Sequence, residues 1–202
     1  MSPVRDRLQL RRRLVEIAGA QAGYFTAAQG LEAGYSYSAQ RYHVHRGNWI
    51  QVDRALLRLR DWPVVEHEDL VRWTLWSGDA AVVSHETALA LHDLGDANPA
   101  RVHLTVPPAF RKRAPGVVLH PGSVPAGDLE WWEGFRVSTP IRAVLDVAGG
   151  GVDLDQLARA IGDGVERGHF SPRRLRERAD GFGPEAALDV ERALGIVESN
   201  GV

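Results

Sequence analysis

Along residues 5–18 the apolar side chains Leu8, Leu10, Leu14, Val15, Ile17 and Ala18 recur at helical spacing among arginines, which predicts an amphipathic helix ending near Gly19. Thr26 followed three residues later by Gln29 is a capping-box pair, with Phe25 where a hydrophobic staple sits, so a short second helix is expected over 27–33. Gly34 supplies a turn and Ser36 an N-cap for a third helix, which runs from Tyr37 to Arg46 and stops at Gly47. The runs 49–52 and 55–59, separated by Asp53 and Arg54, predict a β-hairpin. Three helices followed by a hairpin is the order of a winged helix-turn-helix.

Beyond Pro63 the pattern changes. A helix is expected over 66–76, and a second begins in SHETALALHDLG, where Ser84 caps, Glu86 lies in the first turn and Gly95 terminates. Period-two alternation over 101–107 marks a strand, and 116–120 and 134–139 are two more. Thr139 followed by Pro140 starts a helix that Gly149 stops, with Arg142 and Asp146 paired at i, i+4. Three further helices are expected over 153–167, 172–179 and 184–198. The fold class is therefore α+β: an N-terminal winged helix-turn-helix over residues 1–62, then a mixed domain of a small β-sheet flanked by helices over residues 63–202.

Charge divides the chain at the same place. Residues 1–62 carry a net +5 and residues 63–202 a net −7, which together give the formal −2. There is no cysteine, so disulfides, thiolate metal sites and cysteine nucleophiles are excluded, as expected in a reducing compartment. No apolar run is long enough for a signal peptide or a membrane span, which makes a cytoplasmic protein with no membrane partner the expectation. Arginine far outnumbers lysine, 23 to 1, a bias expected of a GC-rich bacterial genome.

The segment YSYSAQRYHVHRGNW, residues 35–49, contains no carboxylate and almost no aliphatic core. Ala39 and Val44 are left to pack inward, with Tyr37, Gln40 or Tyr42 completing the stripe, while Ser38, Arg41, His43, His45 and Arg46 face mostly outward. A helix of this kind is either a solvated surface helix or one that faces phosphates and base edges in a DNA major groove. On the second reading the candidate contacts are Ser36, Ser38, Gln40, Arg41, His43, His45 and Arg46 from the third helix, and Asn48, Gln51, Arg54 and Arg58 from the hairpin. The hairpin also serves simply to pack Trp49, Ile50 and Leu57 on the helices. Arg11, Arg12 and Arg13 form a second basic cluster suited to phosphates.

Catalytic signals are poor. His85-Glu86 lacks the second histidine a zinc-protease helix requires, because Leu89 occupies that place. His85 and His92 share a helix with His103 or His120 nearby, yet such histidines are more commonly capping or core residues than metal ligands. Gly149–Gly151 lacks a phosphate-loop ending, and Asp153, Asp155, Asp163 and Glu166 read as a solvated helix face. The loop RKRAPG, residues 111–116, suits DNA, an acidic partner or a plain turn. No catalytic residue, cofactor or metal is expected.

Taken in order, GYFTAAQ, GYSYSAQRYHVHRGNWIQV, SHETALALHDLG, HLTVP, GVVLH and FRVSTPIRAVLDVA resemble the AbiEi family of antitoxins and transcriptional regulators of bacterial abortive-infection and type IV toxin–antitoxin systems. The resemblance extends from Arg11 to about residue 195 and lies in the order and spacing of the segments. It implies repression of the protein's own operon through promoter repeats in duplex DNA, and a C-terminal domain that counters a nucleotidyltransferase-like toxin encoded alongside. Similar proteins often carry Gly-Val-Tyr where this chain has Ala55-Leu56-Leu57, and an aliphatic residue in place of Gln40. Many actinobacterial relatives continue into a very-short-patch-repair-like nuclease domain, which is not expected here. Two alternatives stay open: a protein-binding antitoxin or adaptor without DNA binding, and a nuclease-family relative lacking its nuclease domain.

Overall fold

The computed structural model describes residues 3–200, which fall into two units: one reaches Ala80 and takes in Trp131–Phe135, and the other comprises Ala81–Glu130 and the residues from Arg136 onward. In the first, α1 (Pro3–Gly19), α2 (Ala27–Glu32) and α3 (Tyr37–His45) accompany a sheet of β1 (Tyr24–Thr26), β2 (Trp49–Asp53) and β3 (Leu56–Leu59), and α4 (Glu68–Ser77) follows. The unit thus continues past Pro63. The sheet is antiparallel in the order β1-β3-β2, with Phe25 and Gln51 both opposite Leu57 and a bulge between Gln51 and Asp53. Its core is Leu14, Ala18, Phe25, Ala33, Trp49 and Leu57, with the Phe25 and Trp49 rings edge to face at 5.0 Å.

The expected hairpin is present, but β1 is an addition that three residues are too short to signal by periodicity. It makes β3 the central strand, and Leu56, Leu57 and Arg58 along it are all buried in succession. Arg58, expected as a wing contact, is instead 8% exposed. Its guanidinium bonds Glu68 at the start of α4 at 2.8 Å, donates to the Pro63 carbonyl at 3.2 Å and lies over the Tyr24 ring at 5.4 Å. Ile50, expected to pack inward, is on the exposed face of β2.

The capping box of α2 forms as expected. The Thr26 N–H donates to Gln29 Oε1 at 2.8 Å and the Gln29 N–H to Thr26 Oγ1 at 3.2 Å. Ser36 caps α3 by accepting from the Ala39 N–H at 3.3 Å. Of the three side chains offered to complete the inward stripe of α3, Tyr37 and Tyr42 are 60% and 54% exposed, whereas Gln40 does complete it: it is 4% exposed, which removes it from the expected DNA contacts. Its Nε2 donates to the Ala27 carbonyl at 2.9 Å and the Tyr35 carbonyl at 3.0 Å, tying α3 to the start of α2 and to the intervening turn. The close approach needs Gly30, since a Cβ there would lie 2.8 Å from Gln40 Nε2.

The second unit contains β4 (Val82–Val83), α5 (His85–Leu91), β5 (Val102–Val106), β6 (Val117–Pro121), β7 (Leu129–Trp132), β8 (Phe135–Ser138), α6 (Pro140–Val147), α7 (Leu154–Glu166), α8 (Pro172–Ala179) and α9 (Pro184–Asn200), with the tip Trp131–Phe135 assigned to the first. The five-stranded order is β6-β5-β4-β8-β7; β4 pairs antiparallel with β5 and parallel with β8, and β5 pairs parallel with β6. The short strands β4 and β7 are additions to the expected three. The protein is thus α+β. Helix α5 ends four residues before Gly95, where Asp93 already turns into the left-handed region at φ 57°. Ser84 does not cap it with its side chain, because its hydroxyl is engaged by Thr105 at 2.8 Å and His85 Nδ1 at 2.9 Å.

Two buried polar networks hold this unit. Arg178 grips Asp128 with two bonds of 2.8 and 2.7 Å and keeps its carboxyl below the usual range, while Arg142 pairs with Asp146 at 2.7 Å, as expected. Burial outweighs Arg142 at Asp146 and pushes that carboxyl up to about 6. In the other network the His85 and His120 rings stack at 3.4 Å, His120 Nε2 lies 3.2 Å from His103 Nδ1, and His103 pairs with Glu86. Burial, aided by His120, depresses His85 to about 3.

Two predictions follow from this packing. Gln40→Ala should destabilise the protein by about 2–4 kcal/mol through two lost hydrogen bonds and a small void. Gly30→Ala should be costly in the parent yet neutral or stabilising beside Gln40→Ala, with a coupling above about 1 kcal/mol in a urea-unfolding double-mutant cycle; simple additivity would contradict the contact. The second concerns pH. The folded state holds His85 neutral down to about 3 while the unfolded chain protonates it near the ordinary imidazole value of 6.5. Its contribution is therefore intact above 6.5 and lost as pH falls from there toward 3, at up to about 1.4 kcal/mol per pH unit. Asp146 acts oppositely: its raised folded pKa favours the folded state as pH falls from about 6 toward the ordinary aspartate value of 3.8. Comparing the parent with His85→Gln isolates the first effect, and the parent should lose more stability between pH 7 and 4.5 than the variant; parallel losses would refute it.

Candidate nucleic-acid interface

The exposed face of α3 is built by the burial of Gln40, which fixes the rotation of the helix. Ser36, Ser38, Arg41, His45 and Arg46 all lie on it, as expected, and the exposed Tyr37 and Tyr42 join them. Ser36 Oγ and Ser38 Oγ are 2.9 Å apart at the helix N-terminus, where backbone N–H groups and the helix dipole favour an anion. Arg46 donates from Nε to the Tyr42 hydroxyl at 3.2 Å and lies 5.5 Å from that ring, so the ring steadies the cation. Arg41 forms no ion pair among the described residues, and α3 itself carries no carboxylate to neutralise it.

His43 behaves differently from its neighbours. It is half-buried, stacked on Trp49 at 4.5 Å and 18°, and edge-on to Tyr35 at 5.4 Å. Asn48 Nδ2 lies 3.0 Å from its Nδ1, and burial lowers its pKa, so near neutral pH it is an uncharged imidazole that fixes the corner between α3 and β2. Asn48 is exposed, as are Gln51 and Arg54 on the hairpin, where the Arg54 N–H bonds Asp53 Oδ1 at 2.5 Å. Arg58 and Gln40 are thus the expected contacts that the fold turns inward.

Arg60 is an exposed cation outside the contacts expected from the sequence; its Nε donates to the Gly47 carbonyl just after α3. The Leu-Arg-Leu-Arg alternation of residues 57–60 offered two arginines, and only the second lies beyond the strand. Arg11, Arg12 and Arg13 are exposed on α1.

In the second unit, His85 joins His103 and His120, but His92 is apart, with Nε2 2.8 Å from the Ser138 carbonyl. Among the described residues no group of three or more histidines and carboxylates is arranged to hold a metal. Two acids read as solvated have structural partners: Asp153 caps α7 through the Gln156 N–H at 3.0 Å, and Asp163 accepts from the Gly95 N–H at 2.6 Å. The basic loop is tied to itself, Arg111 donating to the carbonyls of Pro108 and Phe110 at 2.8 and 3.1 Å. No helix of the described residues is long and apolar enough to cross a membrane.

The chain is similar in fold to the RV2827C protein from Mycobacterium tuberculosis, with a TM-score of 0.60, 18% identity, and coverage of 95% of this chain and 77% of that one. No curated protein matches it significantly. The family model described as the AbiEi antitoxin C-terminal domain matches residues 80–188, nearly all of the second unit up to the first turns of α9. That match spans more than half of the chain, and the protein therefore belongs to the AbiEi antitoxin family.

Proposed function

We propose that the protein is a DNA-binding repressor of its own toxin–antitoxin operon, in which residues 1–62 act as a winged helix-turn-helix and residues 63–202 counter a nucleotidyltransferase-like toxin. The observation that carries the DNA reading is the outer face of α3, where Ser36, Ser38, Arg41, His45 and Arg46 are exposed together with no acid among them. Seated in a major groove, the N-terminal serines and backbone amides meet phosphates while Arg41 reaches base edges. Arg54 at the hairpin tip and Arg11, Arg12 and Arg13 on α1 supply sequence-independent phosphate contacts, and Gln51 and Asn48 add polar reach. Cytoplasmic residence follows from this role. The toxin partner rests on membership of an antitoxin family and on the segment order quoted above.

Arg41→Ala should weaken binding to the operator by about 1–3 kcal/mol and relax preference at one base pair, whereas Arg54→Ala should weaken operator and scrambled DNA alike and lower the salt slope by about 1. Fluorescence anisotropy on both DNAs across a salt series checks this, and unchanged affinity in both variants would sink the DNA reading. Arg58→Ala should act through folding instead, costing about 2 kcal/mol because Glu68 loses a charged hydrogen-bond partner. Binding per folded molecule should be unaltered. Co-purification of the toxin encoded alongside tests the second role.

A further inference from the structure

The first unit holds a cavity of about 440 Å³ beside the corner between α3 and β2. Tyr35, Trp49 and Trp62 give it aromatic walls, and Leu14, Val15 and Leu59 give it an aliphatic floor. Polar side chains share the lining almost equally with apolar ones, and a volume of this size accommodates a small molecule. Two cations lie in its lining, Arg11 from α1 and Arg60 beyond β3, against one acid, Asp61. None of the three is ion-paired among the described residues. Arg60 is positioned through Nε on the Gly47 carbonyl, which leaves its terminal nitrogens for another acceptor. Arg11 lies near enough to the Tyr35 phenol to oppose the rise in its pKa that burial causes.

We infer that this cavity binds a small planar aromatic anion, its ring held among Tyr35, Trp49 and Trp62 and its negative group between Arg11 and Arg60. The net charge of the lining selects an anion, and the ring walls select a flat apolar body. His43 and Asn48 also line the cavity. Their mutual hydrogen bond and the stacking of His43 on Trp49 set the corner from which α3 leaves, so an occupant touches the same residues that orient the proposed recognition helix. The consequence for DNA affinity rests on the DNA-binding reading; binding of the anion does not.

The test uses the full chain without DNA and three probes: indole-3-acetate, neutral indole, and acetate. Their binding is followed through the indole N–H signals of the six tryptophans in proton–nitrogen correlation spectra. Indole-3-acetate should shift the Trp49 and Trp62 signals saturably with a dissociation constant of about 1 mM or tighter, and at least about tenfold more tightly than either partial probe. The double variant Arg11→Gln, Arg60→Gln should lose that advantage while still binding indole. Absence of saturation, equal binding of indole, or shifts centred on Trp73, Trp76, Trp131 or Trp132 would each overturn the proposal. In a second arm, anisotropy with operator DNA should show affinity altered at least about threefold by saturating indole-3-acetate. A chain that binds the probe but no DNA would retain the site and remove only the repressor reading, whereas a chain that binds DNA but no probe would remove the site alone.

Discussion

The first unit depends on one buried amide. Gln40 holds the Ala27 and Tyr35 carbonyls with a single nitrogen, and Gly30 makes room for it. A buried polar group is stable only when its hydrogen bonds are satisfied, so this contact permits one helix rotation and penalises others. Because α3 is short and poor in aliphatic residues, hydrophobic burial alone would define that rotation weakly. The amide supplies the definition that packing lacks, and the exposed serines, arginines and tyrosines on the opposite face are its consequence.

A second constraint lies below the hairpin. Both faces of β3 are covered, Leu57 by the core and Arg58 on the other face, so Arg58 must be neutralised inside. Glu68 and the Tyr24 ring do so, which anchors α4 to the sheet and binds the segment after Pro63 into the same unit. An arginine that resembles a DNA contact by its neighbours is thereby a structural one. The other arginines of residues 1–62 outnumber the acids there and place positive charge on α1, α3 and the hairpin tip.

In the second unit buried charges are handled in two ways. Asp128 is satisfied by a forked arginine and stays ionised, whereas Asp146 has one oxygen without a hydrogen-bond partner and is pushed up to about 6. The stacked imidazoles between α5 and the β5-β6 pair are kept neutral by burial. These groups serve the interior of the unit.

Local chemistry in the chain was enough to determine the order of the helices and of five of the strands, the capping box of α2, the Ser36 cap, the Arg142–Asp146 pair and the basic character of the first third, since each depends on residues within a few positions of one another or on composition. The strands β1, β4 and β7 were not legible, because runs of two to four residues carry no readable period. Which of the polar residues of α3 and β3 face outward was likewise decided only in three dimensions. A helix or strand states its possible faces by periodicity, but the face that is buried depends on what packs against it. Here a glycine ten residues before Gln40 and a glutamate ten residues after Arg58 turned those two side chains inward and left Arg41, Arg46, Arg54 and Arg60 at the surface.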